Sequence, residues 1–165
     1  EKTTLTLLNM CNKEHILFDM KIIKNFFIKQ ESGTEFIVKA CKIKNKYCFY
    51  VFTLELGCIC FCEFIDKSAV KGIYKLKKYK YIYEPHSETH PDFRGLGLAS
   101  NIYRYFLLNV PEAILVTSKH TKIATYLWES VCRKVKGRIV YHNLVTGLEE
   151  NKPTKTNVKL LMKKR

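Results

Sequence analysis

Arg94-Gly95-Leu96-Gly97-Leu98-Ala99 is a segment whose residue types and spacing suit one kind of chemistry, the holding of phosphate. Its glycines let the backbone approach a ligand closely. The stretch that follows carries Ile102, Tyr103, Phe106 and Leu107 at helical spacing, which predicts a helix from about Leu96 to Leu108. The first N–H groups of a helix have no acceptor within it and stand at the positive end of its dipole, so such a turn suits pyrophosphate. A Gly-x-Gly pair alone is weak evidence, since glycines also serve only to turn a chain; its weight comes from this context.

Four titratable residues lie on the segment leading into that turn: Glu84, His86, Glu88 and His90. On a strand, alternate members share a face, so some of them could face a cleft and take a proton from an attacking ammonium group. The plain alternative for each is a solvated or hydrogen-bonded polar side chain. Glu88 ranks first as a base, then His86 and Glu84, whereas His90, just before Pro91, reads as turn chemistry.

The seven cysteines offer less. Cys58, Cys60 and Cys62 alternate along one apparent strand, no matching Cys/His cluster stands elsewhere, and no cysteine is paired with a histidine in a nucleophile motif. They read as reduced thiols packed as small hydrophobes, and no metal site is expected. Charge is more informative: 29 Lys and Arg against 15 Asp and Glu give +14, a field that draws in anions. From Lys71 to Tyr83 cations alternate with aromatics, which at period two reads as a strand with one wet basic face. Lys75, Lys77, Lys78 and Lys80 are its candidate contacts to an acceptor or a nucleic acid; a merely solvated face is the alternative.

The extended segment ending in His90-Pro91, then Arg94, Gly97 and Ala99, then the amphipathic helix, resembles motif A (Arg/Gln-x-x-Gly-x-Gly/Ala) of the GNAT superfamily of N-acetyltransferases. A second stretch, Ala124-Thr125-Tyr126-Leu127-Trp128-Glu129, is similar to that family's motif B, Ala-x-x-Leu-Tyr-Glu. The resemblance implies acetyl-CoA or another acyl-CoA as cofactor. By correspondence, the turn from Arg94 and Gly95 and the main-chain amides of Leu96, Gly97, Leu98, Ala99 and Ser100 hold the pyrophosphate. The strand end, Ser87, Thr89 and His90, pairs with pantetheine, and Trp128 lies beside the thiol. Here the sequence departs from the pattern, because Trp128 stands where a tyrosine often serves as general acid. An indole N–H donates a hydrogen bond but does not reprotonate a thiolate. Nor does Tyr126 replace it, since two residues along a helix turn a side chain by about 200°.

The resemblance therefore implies an N-acetyltransferase working by direct attack of a neutral amine in a ternary complex, the acceptor being a protein, a small molecule or a nucleic acid. The alternative is a non-catalytic or nucleic-acid-directed protein on the same scaffold, using its basic surface to bind CoA, RNA or DNA.

The elements that must position these residues follow from the rest of the pattern. Thr4 to Asn9 reads as a strand, and Asn12 caps a helix carrying Ile16, Leu17, Met20, Ile23, Phe26 and Phe27 up to about Lys29. Two β-rich runs, Thr34 to Ile43 and Tyr47 to Phe64, form a hairpin about Lys44-Asn45-Lys46. Ala113 to Val116 reads as a buried strand, Ser118 or Thr121 caps a helix running to about Val135, Arg138 to Tyr141 reads as a strand, Asn143 to Thr156 as a polar loop, and Val158 to Met162 as a last strand. The succession of strand, glycine turn, helix and strand suggests a parallel βαβ unit. The expected fold is α/β (α+β): a GNAT-like mixed sheet of about six to seven strands flanked by helices, in a single domain over residues 1–165. No apolar run reaches a spanning length, so no membrane partner is expected, and the thiols and the N-terminal sequence point to the cytoplasm.

Overall fold

A computed structural model describes residues 21–29, 35–53, 55–119 and 121–164. Its elements in chain order are β1 (Lys21–Lys29), β2 (Glu35–Ile43), β3 (Lys46–Thr53), β4 (Gly57–Asp66), β5 (Tyr81–Thr89), α1 (Leu98–Asn109), β6 (Ala113–Thr117), α2 (Lys122–Val135), β7 (Arg138–Asn143), β8 (Glu149–Glu150) and β9 (Asn157–Met162). The fold is mixed α and β as expected, and the strands number nine among the described residues, more than anticipated. None of the described helices is long and apolar enough to cross a membrane. The described chain divides into two compact units, one running to Phe64 and including His86–Ile102, the other made of Ile65–Pro85 and the chain from Tyr103 onward.

The first unit is built on strands hydrogen-bonded in the order β1-β2-β3-β4. β1 pairs antiparallel with β2 from Lys21↔Lys42 to Lys29↔Glu35, and β2 with β3 from Ile37↔Phe52 to Ile43↔Lys46. This corrects the helix expected up to Lys29. Ile22, Ile23, Phe26, Phe27 and Ile28 are β-branched and aromatic residues, and pairing with β2 outweighs their helical spacing. The proposed strand at Thr4 to Asn9 and the first part of that helix lie outside the described residues. The β2–β3 turn falls at Lys44, in left-handed backbone (φ 50°). The long run from Tyr47 to Phe64 is two strands, not one: Leu56 N–H donates to Thr53 Oγ1 at 3.1 Å and Gly57 takes a φ of 73°. A core cluster forms from Cys41, Ile43, Cys48, Tyr50, Cys58 and Phe61.

Cysteines do pack here as small apolar groups, and Cys41, Cys48, Cys60, Cys62 and Cys132 are thiols rather than halves of disulfides. Cys58 is disulfide-bonded, so the expectation that every thiol is reduced fails at that position.

In the second unit the N-terminal half of β5 runs parallel to β6, from Tyr81↔Ala113 to Tyr83↔Leu115, the pairing expected of a βαβ unit. The order then continues β6-β9-β7-β8 with antiparallel neighbours. All five residues of β6 are buried, as expected of a short apolar run with sheet on both sides. Ile82, Ile114, Val116, Val158 and Leu160 share a core with Leu76 and Tyr79. Those last two explain a second correction: residues 71–80 form a series of turns, and β5 starts at Tyr81. Leu76 is fully buried and Lys75 before it is left-handed (φ 55°), so the chain folds inward rather than extending with one wet face.

α2 begins with Thr121, whose hydroxyl accepts from Ala124 N–H at 3.2 Å, and ends at Lys136 in left-handed backbone. Gly137 follows because nothing larger fits: a β-carbon there would lie 2.0 Å from the Met162 carbonyl oxygen. Replacing Gly137 by Ala should therefore destabilise the protein towards the upper end of the roughly 1–3 kcal/mol typical of overpacking. Urea denaturation of the two proteins measures this, and equal midpoints would show that β9 yields freely.

Candidate functional site

The turn between β5 and α1 lies within the first unit and is held from several sides. At its start, His90 N–H donates to the Ile59 carbonyl of β4 at 2.7 Å, and Thr89 Oγ1 shares a hydrogen bond with Cys60 Sγ at 3.3 Å. Pro91–Phe93 is a short 3-10 turn, and His90 Nδ1 accepts from Asp92 N–H at 3.1 Å, the local turn role its place before proline suggested. Phe93 meets Phe36 edge to face at 6.1 Å, fastening the turn to the buried side of β2. Arg94 then reaches back, its Nε donating to the Thr89 carbonyl at 3.1 Å while the side chain stays exposed.

Gly95 and Gly97 follow with φ of 79° and 77°. A β-carbon on Gly95 would meet no atom of the described residues within 4 Å, so they leave the backbone open there. The Gly97 carbonyl accepts from Asn101 N–H at 3.0 Å and from the Ser100 hydroxyl at 3.1 Å, which makes it the first acceptor of α1. The amides of Leu98 and Ala99 precede that first bond, so the helix itself offers them no acceptor. Leu98 is buried and fixes the start of the helix, whereas Leu96 is 43% exposed. The start of α1 thus follows two left-handed glycines, with its first acceptor at the Gly97 carbonyl.

The candidate bases differ in their surroundings. Glu84 is paired with Lys67 at 3.7 Å, both side chains being partly exposed. His86 and Glu88 are half-buried on β5 and Ser87 is exposed, and among the described residues Glu88 makes no ion pair. The thiols differ: burial above all pushes Cys48 up to about 11 and likewise raises Cys62, whereas hydrogen bonds from Cys62 and then Thr89 lower Cys60 against the opposing effect of its own complete burial.

Trp128 lies in the second unit, on α2, and is only 2% exposed. The ammonium of Lys159, from β9, lies over its ring at 5.6 Å and over the Tyr141 ring at 6.0 Å, and donates to Thr125 Oγ1 at 3.5 Å. Lys159 is itself 2% exposed. Sequence reasoning missed it, because a lysine inside Val158-Lys159-Leu160-Leu161 is the polar member of an alternating strand and carries no mark of burial. Burial pulls its pKa below the usual lysine value, with Glu129 acting the other way.

The four lysines proposed as contacts are on turns rather than on one strand face. Lys80 pairs with Glu112 at 3.2 Å and Lys78 with Glu149 at 3.6 Å, while Lys75 Nζ donates to the Val145 carbonyl. Lys78 and Lys80 join Lys136, Arg138, Lys163 and Lys164 along an open groove of about 1170 Å³, and Lys77 stands apart from it. Among the described residues no cluster of His, Cys, Asp or Glu could hold a metal ion.

No protein-family model and no curated protein matches the chain. Solved structures do. A mutant of the cAMP-binding acyltransferase from Mycobacterium smegmatis superposes with a TM-score of 0.53 at 8% identity, over 96% of this chain and 52% of that one. This chain thus spans about half the length of that protein. The GNAT domain of S. lividans PAT superposes with a TM-score of 0.53 at 7% identity, over 84% of this chain and 96% of that one. The fold is that of the GNAT acetyltransferases.

Lys159 supplies a test of how the second unit tolerates its buried charge. A lysine whose folded pKa lies below its unfolded value of 10.5 binds fewer protons folded than unfolded, so its penalty is complete below the folded pKa and fades as pH rises to 10.5. Lys159→Met should accordingly melt no lower than wild type at pH 7, with any advantage narrowing towards pH 10. A clearly lower Tm for the variant at pH 7 would show that the two aromatic rings more than offset burial.

Proposed function

We propose that the protein is an acyl-CoA-dependent N-acyltransferase, passing an acetyl group from acetyl-CoA to an amine of a protein, a small molecule or a nucleic acid. The observation that carries this reading is the Arg94–Ser100 turn: two left-handed glycines deliver the first amides of a twelve-residue helix, on a GNAT fold. The residues present fit a pyrophosphate, since Gly95 leaves open space and the helix gives Leu98 and Ala99 no acceptor. Ser87, Thr89 and His90 are the strand end proposed to pair with pantetheine. When bound, acetyl-CoA supplies an activated thioester.

The chain's own residues supply binding and proton management. Glu88 is the preferred base for the acceptor ammonium, because Glu84 is engaged with Lys67 and His90 with its own turn; His86 is second. Trp128, buried against Lys159, packs rather than donates a proton, so solvent is the proposed acid for the leaving thiolate. Burial raises the thiols of Cys48 and Cys62, and Cys60, whose thiol is lowered, is fully buried, which favours direct attack over an acyl-enzyme. Proximity of two bound substrates then provides much of the rate.

Acetyl-CoA should raise the Tm of the purified protein, because a ligand of the native state stabilises it by mass action. Gly97→Glu should abolish the rise. Gly97→Ala carries the same left-handed strain without the charge and should keep part of it. No shift with wild type at millimolar acetyl-CoA would sink the cofactor, and an undiminished shift with Gly97→Glu would move the phosphate site elsewhere.

The basic groove of the second unit supports a second reading, in which nucleic acid is the acceptor or the bound partner. Its six cations are accompanied by Glu112 alone among acidic lining residues. Oligonucleotide affinity should then fall steeply between 50 and 200 mM salt, as displaced counterions require. Charge reversal at Lys78 and Lys80 should flatten that slope and leave the acetyl-CoA shift in place. Binding indifferent to salt or to the reversals would return the acceptor to proteins or small amines.

A further inference from the structure

His142 is 2% exposed, and among the described residues neither of its ring nitrogens makes a well-formed hydrogen bond, the nearest acceptors being the Lys75 and Tyr74 carbonyls. Buried polar atoms are nearly always well satisfied, so an imidazole with two carbonyls near it and no well-formed bond calls for a reason. It lines a concavity of about 360 Å³ together with Gly72, Lys75, Lys77, Lys78 and Gly147. We propose that this concavity is a binding site for a phosphate group, with His142 at its base and the three lysines around it. The proposal does not rest on acyl transfer, since none of these residues belongs to the Arg94–Ser100 turn.

Both walls are built before any ligand arrives. On one side, Lys75 N–H donates to the Gly72 carbonyl at 3.2 Å and Leu76 N–H to the Lys71 carbonyl at 2.8 Å, while the buried Leu76 holds the turn against the core. On the other, Asn143 follows His142 in β7 and organises the loop to β8. Its Oδ1 accepts from Val145 N–H at 2.8 Å and from Thr146 N–H at 2.9 Å, and its carbonyl accepts from Gly147 N–H at 2.9 Å. Lys75 Nζ, donating to the Val145 carbonyl, ties the two walls together. Gly147 is left-handed (φ 75°), and a β-carbon there would come within 3.8 Å of Lys75 Cδ.

The chemistry of the lining selects the ligand. Ammonium groups only donate, and an imidazole donates from one nitrogen when neutral and from both when charged. Among the described residues the one carboxylate paired with a lining lysine, Glu149 beside Lys78 at 3.6 Å, is shared with Arg138 at 3.7 Å. A compact polyvalent anion with several acceptor oxygens meets these demands, which a single carboxylate does not. Burial foremost, then Lys78, lowers the pKa of His142, while the nearby Lys75 and Tyr74 carbonyls and Glu149 act the other way. An anion in the pocket would favour the imidazolium, so binding should strengthen as pH falls.

The full chain, titrated with sulfate and with inorganic phosphate at pH 6 and pH 8, tests this through the imidazole nitrogen resonances of His142. Sulfate keeps its charge across that range, so a change in its affinity reports the protein. Saturable shifts with both anions, with sulfate binding at least threefold tighter at pH 6, are expected. His142→Gln, folded by circular dichroism, should bind sulfate at least tenfold more weakly at pH 6 and lose the pH dependence, and Lys77→Gln should weaken binding at both pH values. Competition by a short oligothymidylate would identify the phosphate as that of a nucleic-acid backbone, and its failure to compete would identify a free phosphate or a small monoester. Unmoved His142 resonances at millimolar phosphate, in the wild-type protein, would overturn the proposal, as would a folded His142→Gln variant that binds sulfate like wild type.

Discussion

Two residues in left-handed backbone, Gly95 and Gly97, govern the exit of the chain from β5. A β-carbon at such a φ costs roughly 1–2 kcal/mol, so most sequences could not take this path without strain. Because this one can, the first turn of α1 starts where the Gly97 carbonyl meets Asn101 N–H, and the helix offers the earlier amides no acceptor. The surroundings then hold the turn in place: Phe93 against Phe36, His90 N–H on β4, and Arg94 across to Thr89. Remove the glycines and these fastenings would hold a different loop.

That turn was legible in the sequence because it is local. Glycines, a proline before them and a helical apolar pattern after them act within a dozen residues, and the helix boundary agrees with the structure to within two positions. The same holds for α2, for which Ser118 and Thr121 were both candidate caps and Thr121 is the one used, and whose end is marked by Gly137 just beyond it. Misreadings came where a neighbouring strand or a distant core decides. Lys21–Lys29 carries apolar residues at a spacing compatible with a helix, yet β2 claims it as a partner. Lys71 to Lys80 alternates like a strand, yet the burial of Leu76 and Tyr79 folds it into turns. His142 and Lys159 were invisible for a related reason: their burial is created by segments far along the chain.

Charge is handled in two ways within the second unit. At the surface, Lys78, Lys80 and Arg138 find single carboxylates at 3.2–3.7 Å, exposed pairs worth little to stability and readily exchanged for a ligand's oxygens. In the interior, Lys159 has no carboxylate within ion-pairing distance among the described residues and lies between aromatic faces. The two arrangements have opposite consequences, since exposed cations are available to partners and the interior one serves only its neighbours.

Trp128 is the only tryptophan in the sequence, and it sits buried beneath an ammonium group. Its fluorescence is therefore a single-site optical signal. Emission from an apolar surrounding is blue-shifted, a cation over the ring perturbs the excited indole, and unfolding of α2 removes both influences together. The residue that weakens the usual assignment of a general acid thus equips the protein with an intrinsic reporter of how α2 and β9 pack.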